Sequence, residues 1–188
     1  MMNAIAWNEL VSRIRREDDL AALEYPLPAA RRIAAVGARL KPERRVRSFP
    51  YWRSNELEEY EPQTLAGPRA ELIAVGALRQ KRLLELKFLR YPLVVLSSLS
   101  EGPLSQEQHD RLWDLFGLPV YEQIRGFDQR LYGWECDARA GWHLALDEQG
   151  APEISLERLE ASGWRGDLVK GICACGMQCQ RIQAQTSR

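Results

Sequence analysis

The stretch from residue 93 to residue 124 constrains the fold more than any other. Leu93-Val94-Val95-Leu96, set after Pro92, is a short unbroken apolar run, the pattern of a strand buried on both faces. Ser105 then caps a helix, with Gln108 three residues on to complete a capping box. Leu112, Trp113, Leu115 and Phe116 form the helix's apolar stripe, and Gly117 stands where a left-handed residue ends a helix. PVYEQI, 119 to 124, reads as a second strand. Strand, helix and strand in so short a span make a βαβ unit with parallel strands. The reading is an α/β chain: a βαβ-containing, partly parallel sheet with flanking helices and an N-terminal helical region. Leu93, Val95, Leu112, Leu115, Phe116 and Val120 are its expected core.

Elsewhere the punctuation is weaker. Residues 3 to 16 place Ile5, Leu10, Val11 and Ile14 near helical spacing. AARRIAAVGARL, 29 to 40, reads as a second helix ended before Pro42. Pro50, Pro62 and a cluster of acids make 48 to 64 irregular. Pro68 opens a long helix reaching Arg90, with Leu72, Val75, Leu78 and Leu83 turned inward. Gly76 weakens its middle by about 1 kcal/mol relative to alanine. Trp142 to Leu146 and Val169 to Cys173 are expected strands. The chain divides into a helical arm, 1 to 60, and an α/β domain, 61 to 188.

Charge and hydropathy exclude several functions. The 26 basic and 26 acidic residues cancel overall, yet Arg31, Arg32, Arg39, Lys41, Arg44, Arg45, Arg47 and Arg53 face only Glu43 within their stretch. Glu56, Glu58, Glu59 and Glu61 follow directly. Neighbouring opposite charges cancel beyond a Debye length of roughly 10 Å, so the expected form is a locally paired surface. Neutral total charge without an interleaved aromatic platform argues against a nucleic-acid binder. No stretch approaches the roughly 20 apolar residues of a membrane span. Asn8, Glu9, Arg13 and Arg15 interrupt any leader-like apolar core, so a cytoplasmic protein with reduced cysteines is expected.

Chemistry concentrates in the cysteines. Cys173, Cys175 and Cys179 fall within GICACGMQC, and Cys136 sits apart in WECDA. A Cys-x-Cys pair followed by glycine is a turn that aims two thiolates at one point, because Gly176 admits the tight backbone. Four thiolates, or three with one histidine, are common structural zinc sets. Buried free cysteines are the plain alternative, and a redox pair would ask for Cys-x-x-Cys, which is absent. His143, in WHLAL, and His109, on the face of Leu112 and Phe116, read first as ordinary structural histidines.

Three stretches together carry a resemblance: LVVLSSLSEGPLSQEQHDRLWDLFGLPVYEQIRGFD, WECDARAGWHL and GDLVKGICACGMQCQRI. In order and spacing they resemble the back half of the large domain of adenylate-forming ligases, of the phenylacetate–CoA ligase type, over about half the chain. The resemblance implies Asp167 as a ribose-binding aspartate, with Gly126 and Asp128 in a nucleotide-binding turn for AMP or ATP. It matches Glu135, Cys136, Gly141 and His143 to the family's Glu-Cys-x-x-His-x-Gly-x-His segment, where Arg139 replaces the first histidine. Gln129 stands where the family has the acid that helps hold ATP and magnesium, and the Ser/Thr/Gly-rich phosphate loop and the C-terminal catalytic lysine have no match. The implied function is a non-catalytic ligand- or partner-binding module derived from an acyl/aryl-CoA ligase. Its partner would be a complete or split ligase, or a small acyl or nucleotide ligand. A compact ATP-dependent acid–CoA ligase and a zinc-bearing nucleic-acid binder are the alternatives. The expected zinc ligands are Cys136, Cys173, Cys175 and Cys179, with His143 next in line. Lys170 or Arg181 would offset the thiolate charge.

Overall fold

The structure, a computed structural model, describes residues 22–24, 30–53 and 55–183. The helix expected over 3 to 16 lies outside them. Among the described residues nine strands form one sheet in the order β2-β1-β3-β4-β5-β6-β7-β9-β8. They are β1 (Ile33–Val36), β2 (Val46–Phe49), β3 (Thr64–Gly67), β4 (Leu93–Ser98), β5 (Val120–Arg125), β6 (Leu131–Glu135), β7 (Trp142–Leu144), β8 (Asp167–Ile172) and β9 (Gln178–Gln183). Among the described residues four α-helices accompany them: α1 (Glu56–Glu59), α2 (Arg69–Gln80), α3 (Gln106–Phe116) and α4 (Leu156–Ala161).

The βαβ unit forms as the sequence requires. β4 and β5 are parallel, in register from Leu93↔Val120 to Ser98↔Arg125. The Ser105 hydroxyl accepts from the Gln108 backbone N–H at 3.3 Å, and the Gln108 side chain accepts from the Ser105 N–H at 2.9 Å. Gly117 is left-handed, with φ +66°, and ends α3. All six expected core residues are buried, but Trp113 points to solvent, because Leu112, Leu115 and Phe116 define the inward stripe. The parallel strands β1, β3, β4 and β5 are buried on both faces. Ala34, Val36, Leu65, Leu93 and Val95 belong to the same core as Leu72, Val75 and Leu112 of α2 and α3. Ile33, Ala35, Ala66, Val94 and Leu96 face the other way, packed with Leu23, Ala30 and Leu40.

Three expectations are corrected. The helix expected over 29 to 40 is not found in the described residues 30 to 40: Ile33–Val36 is a strand between β2 and β3, buried on both faces. An alanine-rich apolar run has the same appearance in a buried strand as in a buried helix. The segment 48 to 64 is more regular than expected, because it holds the end of β2, the short α1 and the start of β3. The long helix stops at Gln80, and Leu83 is exposed. In the basic stretch, local pairing is found where expected: Arg32 with Glu61 at 3.1 Å and Arg47 with Glu56 at 3.4 Å. No helix among the described residues is long and apolar enough to cross a membrane.

Beyond β5 the sheet turns antiparallel, through β6, β7, β9 and β8. A third core forms there from Ile124, Leu144, Leu159, Trp164 and Ile182, with the Trp142 and Trp164 rings edge to face at 5.2 Å. Only two residue pairs, Trp142↔Ile182 and His143↔Arg181, join the β8–β9 hairpin to β7.

Candidate metal centre

The antiparallel half brings three separate pieces of backbone to one point. Cys136 follows β6 at the start of a turn closed by the Arg139 N–H donating to the Cys136 carbonyl at 3.0 Å. His143 is the middle residue of β7 and fully buried. Cys173 and Cys175 occupy the tip of the β8–β9 hairpin. There the Cys173 N–H donates to the Met177 carbonyl, and the Gly176 N–H to the Cys173 carbonyl, each at 2.8 Å. Gly176 has φ +86°, a backbone that a side chain would strain, so the tip keeps the tight form that the Cys-x-Cys-Gly pattern implies.

One ligand atom from each of Cys136, His143, Cys173 and Cys175 lies within 4.8 Å of the other three. The sulfurs of Cys136 and Cys173 are 3.7 Å apart, as are the Cys175 sulfur and His143 Nε2. His143 Nδ1 faces the Met177 thioether at 3.3 Å. The four donors are therefore close enough to share one metal ion, and every ligand atom is a thiol sulfur or an imidazole nitrogen.

Electrostatics favour metal-ready forms at two of the four. Burial, then the Arg181 charge, lowers the His143 pKa, keeping its ring neutral with a lone pair to give. Burial pushes the Cys173 thiol up, but the Cys175 N–H and the neighbouring thiols outweigh it, leaving Cys173 below the usual thiol value. Cys136 is the reluctant donor, pushed up to about 11 chiefly by burial. A bound cation would reverse that, since metal coordination deprotonates a thiol.

Of the expected ligands, Cys136, Cys173 and Cys175 come together, and the fourth place falls to His143 rather than Cys179. Cys179 is buried beside Cys136 and Cys173 but stands outside the four-donor group. The ladder explains this: Cys179 pairs with Gly171 in the body of the hairpin, two residues below the tip on either strand. Arg139 turns away, its guanidinium over the Tyr121 ring at 5.2 Å and within 3.4 Å of the Val120 carbonyl. His109 is a half-buried residue of α3 whose pKa burial lowers.

The residues for which the resemblance implies a nucleotide site lie elsewhere. Gly126 and Asp128 belong to the tight β5–β6 turn, where the Gly126 N–H donates to the Arg130 carbonyl at 2.8 Å and Asp128 accepts from the Arg130 N–H at 3.1 Å. Phe127 stands fully exposed at its tip. Asp167 opens β8 opposite Gln183, three strands from that turn.

The sequence reading missed a set of buried polar groups on β5. Arg125 is 1% exposed and donates to the carbonyls of Gln129 and Ala22 at 3.0 and 2.7 Å. Gln123 donates to the Glu24 carbonyl. Residues 22 to 24 thus lie across the carboxyl end of β5, held by alternate side chains of the strand.

No family model matches the chain, and no curated protein matches it. Solved structures do. 2-Hydroxyisobutyryl-CoA ligase, in an open conformation with 2-HIB-AMP and CoA, aligns with 82% of this chain at 12% identity and a TM-score of 0.52. The same enzyme in its thioesterification state gives 14% identity and 0.51, and in its postadenylation state with R3-HIB-AMP 12% and 0.50. The chain spans less than half the length of these neighbours: 44%, 42% and 43%. At such identity the likeness concerns architecture, and the conclusion is that this chain has an α/β fold shared with part of a CoA ligase.

Proposed function

We propose that the protein is a non-catalytic, partner-binding module derived from an adenylate-forming ligase of the phenylacetate–CoA ligase type. A structural zinc ion at Cys136, His143, Cys173 and Cys175 holds its antiparallel half together. The observation that carries the zinc reading is the spacing of the donors. Metal–sulfur bonds of about 2.3 Å in a tetrahedron give sulfur–sulfur edges of about 3.8 Å, and the Cys136–Cys173 separation is 3.7 Å. Four protein donors fill a tetrahedron and leave no position for water or substrate, which is the structural kind of zinc site.

The non-catalytic reading rests on β5. Ligands of open α/β sheets bind outside the carboxyl ends of the strands. Here that end is occupied by the chain's own residues 22 to 24, bound to Gln123 and Arg125. Gln129 brings no charge for a magnesium–nucleotide complex, and phosphoryl chemistry depends on such charges. A partner on the outer surface therefore fits better than a small molecule at the carboxyl end of β5, and a complete or split ligase is the partner class.

Elemental analysis of the purified full chain, with hydroxamate trapping on aryl and fatty acids plus ATP, tests both halves. Zinc near one per chain is expected, retained in Cys179→Ser and lost in His143→Asn, with no acid-dependent AMP release. Metal-free protein would overturn the zinc reading. AMP release clearly above a heat-killed control would overturn the non-catalytic one.

A further inference from the structure

Several buried side-chain atoms among the described residues lack a hydrogen-bond partner, and Arg181, beside the proposed metal centre, is the one residue with two of them. Arg181, on β9, has its Nε and Nη1 buried with no hydrogen-bond partner. A buried donor without an acceptor costs roughly 1–3 kcal/mol, so a native structure rarely keeps one idle. Arg181 is the direct ladder partner of His143 on one side and of Val169 on the other. Paired residues of an antiparallel ladder present their side chains on the same face, and so do residues two apart on one strand. Arg181 therefore shares its face with His143 and with Cys179. Its guanidinium already hydrogen-bonds the Cys179 thiol, and its charge acts on Cys173, His143 and Cys179. Lys170 pairs with Gln180 and so belongs to the opposite face.

We propose that Arg181 is the outer-sphere partner of the metal centre, a positioning residue whose idle N–H groups donate to the sulfurs once these are metal-bound thiolates. The inference rests on the zinc reading and deepens it. Three thiolates and a neutral imidazole around a divalent ion leave a net charge of −1, and one guanidinium brings the buried assembly to zero. A protonated thiol is a weak acceptor, whereas a thiolate is a strong one. The two orphaned donors are thus what the site should look like before its sulfurs are ionised. Hydrogen bonds to the sulfurs also draw down their electron density, so the bound thiolates should be poor nucleophiles and the centre inert.

The test uses the full chain as wild type, Arg181→Gln and Arg181→Lys. Zinc content, zinc affinity by competition with a chromophoric chelator, the sulfur-to-cobalt charge-transfer band of the cobalt-substituted protein, and iodoacetamide alkylation of the zinc-loaded protein are measured. Removing an outer-shell partner typically lowers metal affinity about 10–100-fold. That loss is expected in Arg181→Gln, with a shifted charge-transfer band and faster alkylation, and Arg181→Lys should recover part of each. A role in packing alone would not move the band of a folded, loaded centre. If Arg181→Gln does not fold, Arg181→Lys decides, because it keeps the charge and loses the planar fork: wild-type affinity, band and alkylation rate in it would overturn the proposal. Zinc-bound wild type with unchanged variants refutes Arg181's role alone. Zinc-free wild type refutes the zinc reading beneath it.

Discussion

Glu122 is an acid placed where acids are expensive. It is 1% exposed in the middle of β5. Its carboxylate accepts from the Ser97 hydroxyl at 2.5 Å and from the Leu104 N–H at 2.9 Å, while its own N–H donates to the Glu135 carboxylate at 2.8 Å. Burial raises its pKa to about 7; Ser97 and Leu104 oppose that, Glu135 adds to it and Arg69 works against it. The folded value lies above the unfolded one, so the folded state holds this proton more tightly. The associated stability is present below the unfolded pKa and is lost as pH rises through about 7. A shift of this size corresponds to roughly 3 kcal/mol between those limits. Glu122→Gln keeps the shape without the charge. It should be more stable than wild type at about pH 8.5, and the difference should vanish only about a pH unit below the unfolded carboxyl's pKa, near pH 3.5; urea midpoints that differ equally at both pH values would refute this. Such a residue was not legible in the sequence. Glu122, Gln123 and Arg125 are residue types that are mostly exposed, and nothing local records that both faces of β5 are covered. His143 was undervalued for a related reason: its fitness as a ligand depends on which strand lies beside it, and register is not written in a single strand.

At the scale of elements, the pattern was readable wherever one rule applied without competition. Capping box, apolar stripe and C-terminal glycine all marked α3, and all three are found. β1 was misread because IAAV carries no β-branched residue between its ends, and alanine favours helices when nothing else decides. What decides is tertiary: small side chains let β1 pack on both faces between β2 and β3. Gly76 teaches the same lesson. Its helix propensity predicts that alanine would stabilise α2 by about 1 kcal/mol. A Cβ there, however, would stand 2.8 Å from Leu115 Cβ and 2.9 Å from Phe116 Cε2 of α3. Overpacking of this kind costs about 1–3 kcal/mol, so Gly76→Ala should destabilise the protein or at best leave it unchanged. Leu115→Ala, at a residue 1% exposed, should cost about 2–5 kcal/mol. Thermal unfolding of the two variants checks both; a stabilised Gly76→Ala would mean that α2 and α3 are not this close.

The whole molecule has two unequal halves. The parallel half is a layered core in which β1, β3, β4 and β5 are covered on both faces. The β8–β9 hairpin, by contrast, is joined to the sheet through two residue pairs with β7, the Ile182–Trp164 core and the cysteine cluster. Two backbone pairs are little for six-residue strands, one of which is the free edge of the sheet. A metal shared by Cys136, His143 and the hairpin tip would close that deficit, and part of its binding free energy would then appear as folding stability. The sequence signalled the cluster and, with it, a tie between the 134 to 144 segment and the C-terminal loop; it did not show how few strand pairs otherwise hold the hairpin, because the tip and Cys136 are 37 residues apart and only the fold brings them together. Removing the metal should accordingly loosen one half and spare the other. With a chelator present, backbone amides of residues 167 to 183 and 136 to 144 should exchange hydrogen faster, while those of β1, β3 and β4 keep their protection. A loss of only about 2 kcal/mol would lower Tm by roughly 4–8 °C in a chain of this size. Uniform acceleration across both halves would show that the two unfold as one unit, and unchanged exchange with unchanged Tm would show that the hairpin stands without the metal.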